Sequence, residues 1–163
     1  MARTEIFEAN LDLTLHSQAV LELLNAYASD PMGNGKPLSQ EVLKELIPGL
    51  QHHPTTIIFL AFYDKKAVGI ITCFKGFSTF QARPLIHISD FFLQPDFRGL
   101  KISKKLLETV EKKAIEFNCC KITLEVQENN RHAIDVYKGA GFDHEIHVKE
   151  AGKALFFSKP IIK

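Results

Sequence analysis

The segment Phe91-Phe92-Leu93-Gln94-Pro95-Asp96-Phe97-Arg98-Gly99-Leu100-Lys101-Ile102-Ser103 carries the residue types best suited to binding an anion. An apolar run ends there and an amphipathic one begins, so a strand feeds a helix through a tight turn. The first N–H groups of a helix lack intrahelical acceptors, and the helix dipole adds partial positive charge at the same place. A pyrophosphate is the group such a junction suits. Gly99 permits close backbone approach or an unusual φ, and Arg98 and Lys101 add positive charge. Many strand–turn–helix junctions bind nothing, so these residues alone leave a purely structural turn open. A second short helical pattern carries Asn130 and Tyr137. Asn130 can cap that helix, and a helical tyrosine most often belongs to a core.

The elements that must position these residues follow from periodicity. Residues 4–8 can form a short first strand. Val20, Leu21, Leu23, Leu24 and Tyr27 recur at helical spacing over 17–28, before two prolines and two glycines in 31–37 break the pattern. Val42, Leu43, Leu46 and Ile47 make a second amphipathic helix, begun by Ser39 and expected to end near Pro48-Gly49. Segments 56–63 and 67–74 are dense in β-branched and aromatic residues, with Asp64-Lys65-Lys66 as a hairpin turn between them. A loop over 75–84 leads to a third run over 85–93. There Ile86, Ile88 and Asp90 alternate with His87, Ser89 and Phe91, but Phe91-Phe92-Leu93 breaks the two-residue period. A β-bulge would do that, and so would a strand buried on both faces.

Downstream, Leu106, Leu107, Val110, Ala114 and Phe117 form one stripe of a helix over 102–117, with Lys104, Glu108 and Lys112 one turn apart on its wet side. Residues 121–126 alternate as a strand. A short helix over 130–140 is closed by Gly141, and two late strands are expected near 142–148 and 154–158. The order predicts one mixed α/β domain over residues 1–163, built around a single sheet.

Composition narrows the function classes. Twenty basic and nineteen acidic side chains leave a formal charge of +1, which supplies no broad field for nucleic acid or anionic lipid. No apolar run reaches the ~20 residues that span a bilayer, and Met1-Ala2-Arg3-Thr4 lacks the apolar core of a signal peptide. A cytoplasmic chain is expected. Cys73, Cys119 and Cys120 have no metal spacing and read as small core residues with reduced thiols. His52-His53 and His144/His147 lack partners at zinc-ligand spacing, so no metal is expected.

Two motifs carry a family resemblance. Asp90 to Gly99 resembles the fourth strand and the pyrophosphate-loop entry of GNAT N-acetyltransferases, and Asn130-x-x-Ala133-x-x-x-Tyr137-x-x-x-Gly141-Phe142 resembles that family's later motif. The resemblance implies a central, mostly antiparallel mixed sheet of about six or seven strands, flanked by about four helices. It implies acetyl-CoA as co-substrate, held by Phe91, Phe92, Leu93, Arg98, Gly99, Leu100, Lys101, Ile102, Ser103, Asn130 and Tyr137. Tyr137 would protonate the leaving thiolate, since a thiolate expelled from a tetrahedral intermediate needs a nearby acid. An amine acceptor is mostly protonated at neutral pH, so some group must take a proton first. Asp90 is the first candidate, with Glu125 and His87 behind it; the alternative for Asp90 is a structural carboxylate satisfied by backbone N–H groups.

The sequence departs from the family at two loop positions. Glycine is usual where Lys101 stands, and glycine or alanine where Ser103 stands. If the first position needs a positive φ, lysine costs on the order of 1 kcal/mol; if it needs only proximity, the ammonium can pair with a phosphate. Ser103 is small and can cap the helix. Retained acetyl-CoA binding is expected. The acceptor amine is set in this family by the two N-terminal helices and the 75–84 loop, which offers Phe77, Phe80 and Arg83 but no acidic cluster. A polyamine is therefore not specially indicated, although Asp90-Phe91-Phe92 locally resembles spermidine/spermine acetyltransferases. The stretch 32–36 is a connector or a flap over the acceptor. Relatives often dimerise, and the late strands offer an edge for a homodimer. A catalytically silent module that binds acyl-CoA or a protein partner is the other reading of the same fold.

Overall fold

The computed structural model describes residues 3–145 and 148–162. Five strands, Thr4–Glu8 (β1), Thr56–Tyr63 (β2), Lys66–Ser78 (β3), Arg83–Leu93 (β4) and Ile122–Leu124 (β5), form one sheet in that order. The first four are antiparallel, and β5 joins β4 in parallel. Helices Thr14–Ser29 (α1) and Gln40–His52 (α2) pack on one face, while Ile102–Glu116 (α3) and Arg131–Gly139 (α4) pack on the other. The mixed, mostly antiparallel sheet and four helices match the expected architecture.

Strand alternation builds both layers at once. Ile57, Phe59 and Ala61 of β2 join the cluster under α3, and Ile58, Leu60 and Phe62 join the cluster under α1 and α2. A strand covered on both faces reads as an unbroken apolar run, as residues 56–63 do. The α3 stripe is Ile102, Leu106, Leu107, Val110 and Ala114, all buried; Lys104 and Glu108 stand 3.9 Å apart on its wet side. Between β2 and β3, Asp64 and Lys65 both adopt positive φ (47° and 69°), the backbone of a two-residue hairpin whose twist suits the flanking strands.

Four sequence expectations need correction. The second helix does not stop at Pro48 but runs to His52, because Leu50 must reach the α1/α2 core. Ser39 caps that helix as expected, accepting from Val42 N at 3.2 Å. The expected loop over 75–84 is the end of a long β3–β4 hairpin: Lys75–Ser78 pair with Arg83–Ile86 around a turn over 79–82. The bulge sits at Ser89, since Thr72 pairs with Asp90 and the next residue, Cys73, pairs with Ile88. The fourth correction is the strand count. Residues 154–158 carry no strand, so the sheet has five strands among the described residues rather than six or seven. The other expected late strand, over 142–148, includes Ile146 and His147, which lie outside the described residues together with Met1, Ala2 and Lys163.

Gly69 marks the tightest sheet–helix contact. A Cβ there would stand 3.0 Å from Leu93 Cδ1, 3.2 Å from Leu106 Cδ1 and 3.3 Å from Ala61 Cβ. These are core groups with no solvent to retreat into. Gly69→Ala is therefore expected to cost about 1–3 kcal/mol of unfolding free energy, measured by urea denaturation; an unchanged midpoint would show that the layer has slack.

Candidate active site

The Ser89 bulge organises the site. Before it, Ile86 and Ile88 face the α3 core and His87 faces the α1/α2 side; after it, Phe91 and Leu93 take the α3 side while Asp90 and Phe92 turn to the other. One extra residue has exchanged the faces. The pairing between β4 and β5 stops at the same place. Only Ile86, His87 and Ile88 pair with Ile122, Thr123 and Leu124, so from Ser89 to Leu93 the β5-facing edge of β4 has no strand beside it among the described residues. A wedge opens there, with unpaired backbone N–H and C=O groups along one wall.

Tyr137 of α4 stands by that wedge. It is 9% exposed, and its ring lies 5.8 Å from Phe91 and 5.9 Å from Phe142. Burial, with a smaller contribution from Tyr27, pushes its hydroxyl well above the usual phenol range, so it stays protonated at physiological pH. Asn130 caps α4, accepting from Ala133 N at 3.3 Å, and Gly141, at φ 95°, ends the helix turn as expected.

The junction after β4 carries the uncapped start of α3. Gln94 N donates to Val68 O at 2.8 Å, tying the turn to the sheet. A single 3-10 turn, Pro95–Phe97, follows. Arg98 Nε donates to Leu93 O at 3.3 Å, and its guanidinium lies 3.9 Å from Asp30, so part of its charge is already engaged. Gly99 has φ 85° and Lys101 has φ 63°. Lys101 is the N-cap of α3, without any side-chain cap, and no acidic residue occupies the first turn. The N–H groups of that turn are thus left facing outward beside exposed Gly99, Leu100 and Lys101. Ser103 does not cap the helix; it lies inside the first turn. Phe92, Leu93 and Ile102 are buried in the two cores, so only their backbones can meet a ligand.

Asp90 faces the α1/α2 side, where Thr72 Oγ1 donates to its carboxylate. Burial raises the carboxyl above the ordinary range and the Thr72 bond offsets part of this. Below it the Cys73 thiol is pushed up to about 12 by burial and then by Asp90. The other two base candidates meet each other: His87 Nδ1 is 2.7 Å from Thr123 Oγ1, and His87 Nε2 is 3.9 Å from Glu125 Oε1.

Tyr27 is the residue that sequence reasoning missed. Its ring lies 5.7 Å from Phe92, and burial, Asp90 and Asp30 together raise its hydroxyl. It links the Asp90 and Tyr137 environments, yet in sequence it is one more apolar-face position of α1. The signal was its polar tip at the helix end. The 32–36 stretch holds this end in place: Gly33 N donates to Asp30 O at 2.9 Å, Lys36 N to Ala28 O at 3.1 Å, and Leu38 N to Asn25 Oδ1 at 2.8 Å. It is a tied connector. Arg83, expected near the acceptor, instead binds Asn118 and Cys119 carbonyls at 3.2 and 3.1 Å.

Residues 18–142 match the acetyltransferase (GNAT) family. The chain belongs to that family. Among curated proteins it is similar to thialysine N-ε-acetyltransferase of Bos taurus, 31% identical over 74 residues, or 45% of this chain and 43% of that protein. The matched region thus spans less than half of this relative. Among solved structures, a probable acetyltransferase superposes with a TM-score of 0.78 at 19% identity, covering 98% of this chain and 99% of the other. AAC(6')-Iy in complex with a bisubstrate analogue, CoA-S-monomethyl-acetylneamine, gives 0.75 at 16%, covering 98% and 99%. At those identities the likeness is one of fold. For this GNAT chain it is a likeness over nearly the whole length.

Two outcomes follow for the GNAT loop and strand. Lys101→Gly removes a left-handed lysine, and net of glycine's larger chain entropy it is expected to raise unfolding free energy by about 0.5–1 kcal/mol; a loss in urea denaturation would mean the lysine side chain holds the loop. Because the folded Asp90 carboxyl titrates above its unfolded value, its contribution is present at acid pH and lost as pH rises through the folded value. Asp90→Asn should therefore make stability fall less between acid and neutral pH than wild type does, measured as denaturation midpoints across that window.

Proposed function

We propose that this protein is an N-acetyltransferase that moves an acetyl group from acetyl-CoA to a primary amine by direct attack. The observation that carries this reading is the β4–β5 wedge, which opens at the bulge between the uncapped start of α3 and Tyr137. The unpaired edge of β4 suits the amides of a pantetheine arm, and the first turn of α3, with Gly99, Leu100 and Lys101, suits its pyrophosphate. No acidic side chain in that turn opposes the phosphate charge. Asn130 and the buried wall of Phe91 and Tyr137 complete the sleeve.

The chemistry then divides between two faces of β4. An ammonium acceptor entering from the α1/α2 side meets Asp90, whose raised carboxyl is a stronger base than an exposed aspartate. Tyr27 lies close enough for its hydroxyl to feel the Asp90 charge. The freed amine attacks the thioester carbonyl; the C–N bond forms, the tetrahedral intermediate collapses with breaking of the C–S bond, and the cationic nitrogen sheds its surplus proton, which restores the Tyr137 phenol after that has protonated the sulfur. Tyr137 gives its proton to the departing sulfur. Burial keeps Tyr137 protonated and so able to donate. The acceptor class is carried over from thialysine N-ε-acetyltransferase, whose name places the acetyl group on nitrogen.

Replacing Tyr137 with Phe keeps the ring packing and removes only the acid. Turnover with acetyl-CoA and a panel of primary amines should fall by roughly 10²–10⁴-fold, while cofactor affinity from isothermal titration stays within experimental error of wild type. Wild type that binds CoA yet acetylates nothing on the panel would instead favour the silent acyl-CoA-binding module.

A further inference from the structure

Asp30, the residue after α1, is fixed by its whole backbone and by one carboxylate oxygen. Its N–H donates to Ala26 O and Tyr27 O at 3.1 and 3.0 Å, and its C=O accepts from Gly33 N and Gly35 N at 2.9 and 3.2 Å. Its Oδ1 accepts from Met32 N at 2.9 Å. A Cβ on Gly33 would stand 2.0 Å from Tyr27 O, so the connector is pressed against the helix end. Its Oδ2 is left for Arg98, whose guanidinium lies 3.9 Å away. On the acetyl-CoA reading proposed for this site, we infer that Asp30 is a positioning residue: it holds Arg98 off the phosphate site and gives it up when the cofactor binds.

The two partners are unequal, and that decides which one moves. The Asp30 side chain is 20% exposed and tied into its turn, whereas that of Arg98 is 42% exposed. Arg98 stands between the 3-10 turn Pro95–Phe97 and the left-handed Gly99, and its side chain makes a second contact, Nε donating to Leu93 O at 3.3 Å. At 3.9 Å the pair is a charge contact and not a hydrogen bond, so the guanidinium keeps donors unused. A phosphate at the start of α3 offers what this carboxylate does not. It takes bidentate, charge-assisted bonds while the unpaired helix N–H groups hold the same anion. Forming that contact breaks the one to Asp30.

The exchange joins the cofactor loop to the acceptor face. Burial raises the Tyr27 hydroxyl first, and the charges of Asp90 and then Asp30 add to it, so Asp30 acts on the same space as the proposed base. Once Arg98 leaves, the end of α1 carries a negative charge that its ion pair no longer offsets. A cationic amine is then drawn to this face more strongly with the cofactor in place than without it. By linkage, the amine eases the release of Arg98 to the same degree.

Isothermal titration with CoA over a double-mutant cycle tests this. Asp30→Asn keeps the Oδ1 acceptor for Met32 and removes the charge, so CoA should bind roughly three- to fivefold more tightly. A residue that only held the fold would weaken binding when changed, so the sign separates the two roles. Arg98→Ala should weaken CoA binding by roughly tenfold or more. Adding Asp30→Asn to it should change nothing further, because the guanidinium is gone. A tightening that persists without Arg98 overturns the exchange, since the carboxylate then acts by its field alone. Wild type that binds CoA with an affinity unchanged or lowered by Asp30→Asn also overturns it, and leaves the acetyl-CoA reading standing. Wild type that binds no CoA overturns both. Should Asp30→Asn misfold, Asp30→Ser takes its place with the same outcomes, its hydroxyl accepting from the same turn.

Discussion

One extra residue in β4 is the constraint on which the site depends. Ser89 has no partner on β3, and its insertion reverses which side chains face which helical layer. Without it Asp90 would point into the α3 core beside Ile86 and Ile88, a buried carboxylate among aliphatic groups. With it, Asp90 reaches Thr72 and Tyr27 on the opposite face, and Phe91 is left to meet Tyr137. The added bend also ends the pairing with β5, because a parallel neighbour cannot follow a strand that twists away. Separation of Asp90 from Phe91 and opening of the wedge thus have one cause.

The helix start completes what the strand begins. α3 is fixed by five buried side chains, so its N-terminal N–H groups are held at a set distance from the end of β4. The turn between them needs two left-handed residues. Gly99 adopts that backbone freely, whereas Lys101 adopts it at a cost that the packing of Ile102 against the core must offset. A lysine there places a cation beside the proposed phosphate site, so strain and attraction act at the same residue in opposite directions.

Burial sets the proton chemistry. Asp90, Tyr27, Tyr137 and Cys73 all have raised values, and desolvation is the first cause in each. Burial holds the phenols protonated and makes the carboxylate more basic, so the proposed proton acceptor and proton donor lie on opposite sides of a single strand. His87, Thr123 and Glu125, on the wetter rim, form their own contacts and leave Asp90 as the buried carboxylate of the group.

The sequence by itself determined the elements and their layers, because an apolar period of two or 3.6 residues must be buried on a matching face. Residues 56–63 read as a doubly covered strand and are one; the α3 stripe and the caps at Ser39 and Asn130 were equally legible, since each depends on neighbours within a turn. Phe91-Phe92-Leu93 announced an irregular strand, but not where the extra residue falls, which depends on the pairing of Thr72 and Cys73 across β3. The end of α2 was misjudged because a local rule about Pro48 lost to the burial of Leu50. Tyr27 and the contacts of Arg83 were invisible for the same reason: they link residues far apart in the chain. The late strand expected over 154–158 shows the converse, a local pattern that pairs with no strand among the described residues. Periodicity fixes which residues want a face; only the assembled sheet decides which face exists.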